Sequence, residues 1–492
     1  MTNEPEKSES PVRAVRLTNK ARMMAAESAE QRGDAKGNAS TTTTCRTQCR
    51  ESVSSGLARV RKLAKEQPKL RFTALMHHLT IDLLMQSYFL LKRNAAAGVD
   101  GVTWAAYGDQ LDQRIADLYR RIHRGAYRPL PSRRRMIPKP DGRQRPLGIA
   151  SLEDKIVQRA TVEILNEIYE VDFLGFSYGF RPGKGQHDAL DALAYAITRT
   201  PVNWIIDADL QKFFDTINHD WLIKFVGHRI GDYRIIRLIR KWLKAGVMEG
   251  LEVVPTTMGT PQGAVISPLL ANIYLHYCFD LWVSHWRKRA GGNVVVIRFA
   301  DDIVIGTQYY ADARALMTNL PDRLGTFALK LHPEKTRLIA FGKWTAERRR
   351  RCGETAKPET FAFLGFRHIC GTSREGNFLL IRQTRSDRMR ATLHAIREQL
   401  RKRMHDSVEK QGRWLQSVVR GYFAYHAVPT NYAALARFRY RVTRLWRHAL
   451  SRRSQIAYTP WRTMEAITKT WLPPARIVHP WPQDRFAVSH PR

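Results

Sequence analysis

A chain of 492 residues with 81 lysines and arginines against 45 aspartates and glutamates carries a formal charge of +36, so its expected partner is a polyanion. Apolar residues make up 43% of it, enough for ordinary packed cores, and the lack of any apolar run of about 18 residues excludes a membrane span. The opening MTNEPEKSES has no apolar stretch of a secretory signal, and five scattered cysteines, of which only Cys45 and Cys49 lie close, suit neither a disulfide scaffold nor a zinc site; a cytoplasmic, nucleic-acid-binding protein without a membrane partner is expected.

Residues 1–55 are rich in Ser, Thr, Glu, Lys and Ala, with a Thr41–Thr44 run, and read as a disordered polar tail. From Leu57 to Leu91 helix formers recur at helical spacing until Gly98 and Gly101 break the pattern, and a second helix is expected from Tyr107 to His123, closed by Gly125. Between about 133 and 370 short β-branched segments alternate with helical ones: RRRMIPKP, a helix from Glu153 to Tyr169, VNWIIDADL, a helix around Trp221 to Gly227, and NVVVIRFADDIVIG. That alternation indicates an α+β or α/β core. Beyond Gly371 strands are expected to stop, and residues 371–460 hold 19 Lys or Arg against 5 Asp or Glu in helical sequence punctuated by Gly421, Pro429 and Pro460, the pattern of a separate basic helical domain. Residues 456–492, with WLPPARIVHPWP, read as a Pro-rich extended segment, open to a DNA-binding role.

The chemistry is signalled by carboxylates. In VVVIRFADDIVIG, apolar runs flank Asp301 and Asp302 directly, and adjacent unpaired charges at an apolar turn are costly, which suggests a hairpin tip that holds cations. Asp209 ends a second apolar strand, 92 residues upstream of Asp301. If the two strands are sheet neighbours, the carboxylates converge, and hard oxygen ligands of that kind select Mg²⁺. Two ions about 3.5 to 4 Å apart would suit in-line nucleotidyl transfer. The alternative is an exposed β-turn at Asp301 and Asp302 and a helix cap at Asp209; the flanks, order and spacing favour the cation site.

The stretches IPKPDGRQRPLGI, SLEDKIVQ, YGFRPGKGQHDAL, DADLQKFFDTINH, GTPQGAVISPLLANIYLH, VIRFADDIVIG, LKLHPEKTRL and FLGFRH, in this order between about 95 and 370, resemble the reverse transcriptase blocks of group II intron-encoded proteins. The resemblance implies a right-hand polymerase, with an N-terminal extension and fingers over 56–175, a palm over 176–370, and a thumb or maturase domain over 371–455. It implies that Asp209, Asp301 and Asp302 are the catalytic carboxylates for two Mg²⁺ ions. The family usually has Tyr before Ala-Asp-Asp; Phe299 stands there in this chain. Lys139 and Arg145 resemble the cations that grip the incoming triphosphate, and Gln262 resembles the glutamine lining the nucleotide pocket, with Gly263 leaving room for backbone to approach the template. Phe214, five residues after Asp209, occupies the place of a ring beneath the sugar that clashes with a 2′-hydroxyl and selects deoxynucleotides. Lys335 resembles the lysine that protonates departing pyrophosphate.

The segment RWLQSVVRGYFAYHAVPTNYAALARFRYRVTRLWRHAL resembles the maturase domain of the same family. On a helix of about 100° per residue, Leu435, Phe438, Val442, Leu445, Trp446 and Ala449 fall on one arc and Arg437, Arg441, Arg444 and His448 on another; the first arc is expected to pack and the second to meet RNA phosphate. The partners implied are the group II intron RNA, target DNA, a primer and deoxynucleoside triphosphates, with a homodimer left open. Many relatives carry a cysteine-bearing HNH endonuclease, and no cysteine follows Cys370, so an endonuclease-less type is expected. The implied activity is binding the intron, promoting its splicing and reverse transcribing it during retrohoming. A splicing-only maturase and a domesticated reverse transcriptase of phage defence are the alternatives; intact carboxylates speak against the first, and the missing Val-Thr-Gly block of retron enzymes against the second.

Overall fold

Apolar runs as continuous as VVVI and IVIG belong to strands covered on both faces, and the computed structural model, which describes residues 43–138, 144–249, 252–260, 263–352, 358–453 and 458–489, arranges them so. In chain order the strands are β1 (Ser132–Pro138), β2 (Gln144–Ile149), β3 (Trp204–Asp209), β4 (Val247–Glu249), β5 (Glu252–Val254), β6 (Val294–Phe299), β7 (Asp302–Thr307), β8 (Arg337–Ala340), β9 (Phe361–Phe363), β10 (Phe366–Thr372) and β11 (Phe378–Thr384). They form three sheets of order β2-β1-β4-β5, β6-β7-β3-β8 and β11-β10-β9.

The β6-β7-β3-β8 sheet is antiparallel throughout. Side chains alternate between its faces. Ile206, Ala208, Val296, Ile303 and Ile305 enter a core built with the helices that precede and follow the sheet in sequence. Ile205, Ile297, Val304 and Ile339 enter a second core with Phe361, Phe366 and Leu380 of the β11-β10-β9 sheet. With the middle of the sheet covered on both sides, Asp209 and Asp302 lie where its strands end.

The helix Leu152–Asp172 starts at Ser151, whose Oγ accepts a hydrogen bond from Asp154 N at 3.2 Å, with Glu153 and Asp154 in the first turn where the helix dipole favours acids. From its buried face Gln158 Oε1 accepts a bond from Val265 N at 2.9 Å. Gly263, at φ +108°, would place a Cβ 2.8 Å from the Gly148 carbonyl oxygen. The loop before the Ser267–Leu275 helix is thereby pinned against the end of β2.

Four boundaries differ from the sequence expectations, the first being the helix expected from Tyr107 to His123, which is divided into Trp104–Gly108 and Leu111–His123. The helix Thr43–Glu66 begins inside the segment expected to be a polar tail. Strands do not stop at Gly371: β10 and β11 pair from Phe366 opposite Thr384 to Thr372 opposite Phe378. A division at 370/371 would cut a hairpin whose β-branched alternation is hidden among arginines. The segment expected to be extended beyond 456 contains the helices Trp461–Trp471 and Pro482–Ser489; its prolines act as helix starters, Pro460 at the N-cap and Pro482 at the first helical position, where a missing N–H costs nothing.

The helices Ser386–Lys402, Val408–His426, Tyr432–Ser451 and Trp461–Trp471 enclose a third core around Leu415, Phe438 and Trp446. They are tied to the third sheet by Asn431, whose side chain accepts from Thr384 N at 3.0 Å and donates to Thr384 Oγ1 at 2.7 Å. Among the described residues no helix is long and apolar enough to cross a membrane.

Candidate active site

The pairing of β3 with β7 sets Asp209 directly opposite Asp302, and the hairpin between β6 and β7 puts Asp301 at its tip beside them. Two central strands, whose carboxylates Asp209 and Asp301 lie 92 residues apart in sequence, thus deliver three carboxylates to one end of the sheet. Asp207, two residues before Asp209 and on the same face of β3, adds a fourth acid that the sequence reading did not single out; Arg337 lies 3.8 Å from it.

The electrostatics follow from this crowding. Asp302 keeps an exposed surface, yet the surrounding protein strips hydration from its charged form; that loss, with the negative charges of Asp301, Asp209 and Asp207, pushes its carboxyl up to about 7. Burial likewise raises Asp301 above the usual carboxylate range, helped by Asp209 and opposed by Arg145 and Lys335, and burial lifts Asp207 to about 6. Oxygen-only ligands whose ionised forms are mutually disfavoured fit a hard divalent cation. Among the described residues no three acidic, His or Cys side chains are gathered at metal-ligand spacing; the Asp209 carboxylate instead accepts from Lys335, whose Nζ donates to Oδ2 at 2.7 Å. Lys335 is carried there by a return of the chain along β3: Gln211 N donates to the Lys330 carbonyl at 2.8 Å and His332 N to that of Asp209 at 2.8 Å.

The hairpin tip is braced from behind by a residue that the sequence reading missed. Arg298, fully buried, spends all five guanidinium N–H groups: Nε and Nη2 donate to the two oxygens of Asp280 at 2.7 and 2.5 Å, Nη2 also to Ser177 Oγ at 2.7 Å, and Nη1 to Asn272 Oδ1 at 3.0 Å and the Ala300 carbonyl at 3.2 Å. Asp280 ends a π-helical turn, His276–Asp280, a distortion that re-aims side chains along a helix. An arginine inside VVVIRF was the available signal.

The YGFRPGKG block supplies the other wall. Residues Phe176 to Tyr178 run beside β6, Arg298 N donating to the Phe176 carbonyl and Tyr178 N to that of Arg298, both at 2.9 Å. Gly179 then abuts the tip so closely that a Cβ would lie 2.3 Å from Ala300 N. Because both partners are backbone, Gly179→Ala is expected to displace the tip and lower polymerising activity more than tenfold, roughly what a misplacement near 1 Å costs; unchanged activity with an unchanged melting temperature would show that the tip does not depend on this contact. Phe180, left-handed at φ +58° and 53% exposed, has its ring 6.4 Å from those of both Phe214 and Phe299. Phe299, paired opposite Asp302, brings this cluster of rings next to the carboxylates.

Of the other residues singled out in the sequence, Arg145 lies on β2 opposite Ile137 of β1 and within electrostatic reach of Asp301. Lys139 and Gln262 lie outside the described residues. Arg437, Arg441 and Arg444 are all exposed on the Tyr432–Ser451 helix, while Leu435, Phe438, Val442, Trp446 and Ala449 on its other side are buried; they stand apart from the carboxylates in sequence and belong to the helical unit.

Residues 137–368 match the family described as reverse transcriptase (RNA-dependent DNA polymerase). Protein YkfC of Escherichia coli (strain K12) is 34% identical over 317 residues, 58% of this chain and 78% of YkfC. The group II intron-encoded protein LtrA of Lactococcus lactis subsp. cremoris is 36% identical over 222 residues, 45% of this chain and 37% of LtrA. Nuclear intron maturase 3, mitochondrial, of Arabidopsis thaliana is 30% identical over 129 residues, 26% of this chain and 18% of that protein. The chain thus spans well under half the length of the two intron proteins. The carboxylate-bearing sheet falls inside the matched region, which implies a polymerase fold of mixed helix and sheet, and the chain belongs to the reverse transcriptase and maturase family of group II intron-encoded proteins.

Proposed function

We propose that this protein is an RNA-directed DNA polymerase that binds its group II intron RNA, promotes its splicing and copies it into DNA during retrohoming. The observation that carries the reading is the register of β3 on β7, which brings Asp209 opposite Asp302 with Asp301 alongside. Asp209, Asp301 and Asp302 are the residues that would hold two Mg²⁺ ions; when bound, these lower the barrier by activating the primer 3′-hydroxyl and neutralising charge on the leaving pyrophosphate. The chain's own residues orient the reactants. Arg145 on β2 and Lys139 grip the triphosphate, Gln262 lines the nucleotide pocket, and Lys335 Nζ, which donates to Asp209 Oδ2, gives a proton to the leaving pyrophosphate. In this reading the β1-bearing sheet serves as fingers, the β3-bearing sheet as palm and the C-terminal helices as thumb, with Arg437, Arg441 and Arg444 on intron phosphates.

The decisive experiment is extension of an annealed DNA primer on an RNA template with Mg²⁺ and deoxynucleoside triphosphates. Templated cDNA supports the reading, and its absence with folded protein favours a splicing-only maturase. Phe214, whose ring lies 6.4 Å from that of Phe180, supports a steric filter at the sugar. Phe214→Ala is accordingly expected to raise ribonucleotide incorporation relative to deoxynucleotide incorporation by about tenfold or more, measured as the ratio of kcat/KM values; an unaltered ratio would make Phe214 a packing residue.

A further inference from the structure

The helical unit carries an exposed row of rings and guanidinium groups that the carboxylate site does not use. On the Tyr432–Ser451 helix, Tyr440, Arg444 and Arg447 share one side by their spacing, and the chain returns to set Tyr458 and Trp461 next to them. The Arg444 guanidinium lies 6.0 Å from the Tyr440 ring centre. Tyr440 and Trp461 are parallel within 8°, with centres 6.4 Å apart. Arg447 lies 4.6 Å from the Trp461 ring and 5.5 Å from that of Tyr458, held there by its Nε donating to the Thr459 carbonyl at 2.8 Å.

Two features separate this ladder from core packing or an ordinary solvated face. Its rings are open: Tyr458 is 72% exposed, Tyr440 55% and Trp461 39%. Its charge is unbalanced too, since residues 432–451 contain no acid, whereas a surface serving only solubility mixes both signs. Exposed flat rings held by guanidinium groups offer π-faces at low ordering cost. Base pairing and stacking hide the faces of duplex bases, so such rings can serve only bases that are unpaired.

We propose that Tyr440, Trp461 and Tyr458 form a stacking platform for an unpaired nucleic-acid strand, with Arg444 holding its phosphates and Arg447 holding the rings in line. The proposal rests on the reading of this chain as a nucleic-acid enzyme and adds the class of strand that its helical unit takes. Stacking on a ring ignores the sugar, so unpaired RNA and unpaired DNA are both ligands.

The test is fluorescence anisotropy with the full chain, its cleft occupied by a saturating short primer–template. Labelled unpaired oligonucleotides of about 12 residues, ribo and deoxy, are compared with a duplex of the same length. Tyr440→Ala and Tyr458→Ala, which remove rings more than half exposed and leave the core intact, are each expected to weaken single-strand binding about tenfold while leaving the dependence of log affinity on log salt unchanged. Arg444→Gln is expected to lower that slope by about 0.7, and Tyr440→Phe to bind as the parent does. The platform is refuted if the ring variants bind single strands as tightly as the parent, if they lose duplex and single-strand affinity in equal measure, or if only the ribo strand responds. Primer extension by the tyrosine variants at saturating primer–template should be unchanged; failure of the parent protein to extend a primer at all would sink the polymerase reading and leave the binding result standing.

Discussion

Asp301→Ala is expected to reduce RNA-templated primer extension at least about a thousandfold, since metal ions supply several kcal/mol of transition-state stabilisation and about 1.4 kcal/mol is a factor of ten in rate. The same change should leave the melting temperature unchanged or raise it. Asp301 sits at a hairpin tip whose neighbours Asp209 and Asp302 repel its charge, and burial already disfavours its ionised form, so removing it relieves the folded state. Loss of activity without loss of stability is what distinguishes a functional carboxylate from a turn former. Primer extension and thermal unfolding on the same preparation read both quantities. An Asp301→Ala protein that makes cDNA at the parent rate would remove the basis of the proposed chemistry.

Arg298→Met is expected to show the opposite signature, a loss of stability near 3 to 5 kcal/mol. It leaves the buried Asp280 carboxylate without its bidentate partner and strips hydrogen bonds from Asn272, Ser177 and the Ala300 carbonyl. Arg298→Lys keeps the charge but not the planar fork, and should recover only part of the loss. The double variant Arg298→Met with Asp280→Leu removes both buried charges and should regain most of the stability. Its polymerising activity should nevertheless stay low, because the Ala300 carbonyl then loses its guanidinium donor and the tip that carries Asp301 loses that brace. Denaturant unfolding with primer extension separates the two effects. Parent-like unfolding of Arg298→Met would mean that the buried network contributes nothing net.

Much of this was legible along the chain. The arc of Leu435, Phe438, Val442, Trp446 and Ala449 is buried and the arc of Arg437, Arg441 and Arg444 exposed, because helical periodicity is a local property that any core must respect. The carboxylates stood out for a related reason: charges at the ends of strands apolar on both faces need an explanation beyond packing. Lost to the local reading were the β10–β11 hairpin, whose arginines mimicked a solvated helix, and the helices after Pro460 and Pro482, whose prolines marked starts and were taken for breaks.

The residues by themselves determined which side chains carry charge, which faces pack, and that Asp209, Asp301 and Asp302 sit at strand ends. Only the tertiary structure decided that β3 lies on β7 in the register that unites them, that Arg298 backs the tip, that Gly179 touches Ala300, and that Lys335 rests on Asp209. These are contacts between residues up to 126 positions apart, for which no periodicity exists. They are selected by the packing and polar pairing of the whole core, where each buried donor must meet an acceptor and each glycine marks a backbone approach that no shorter segment can announce.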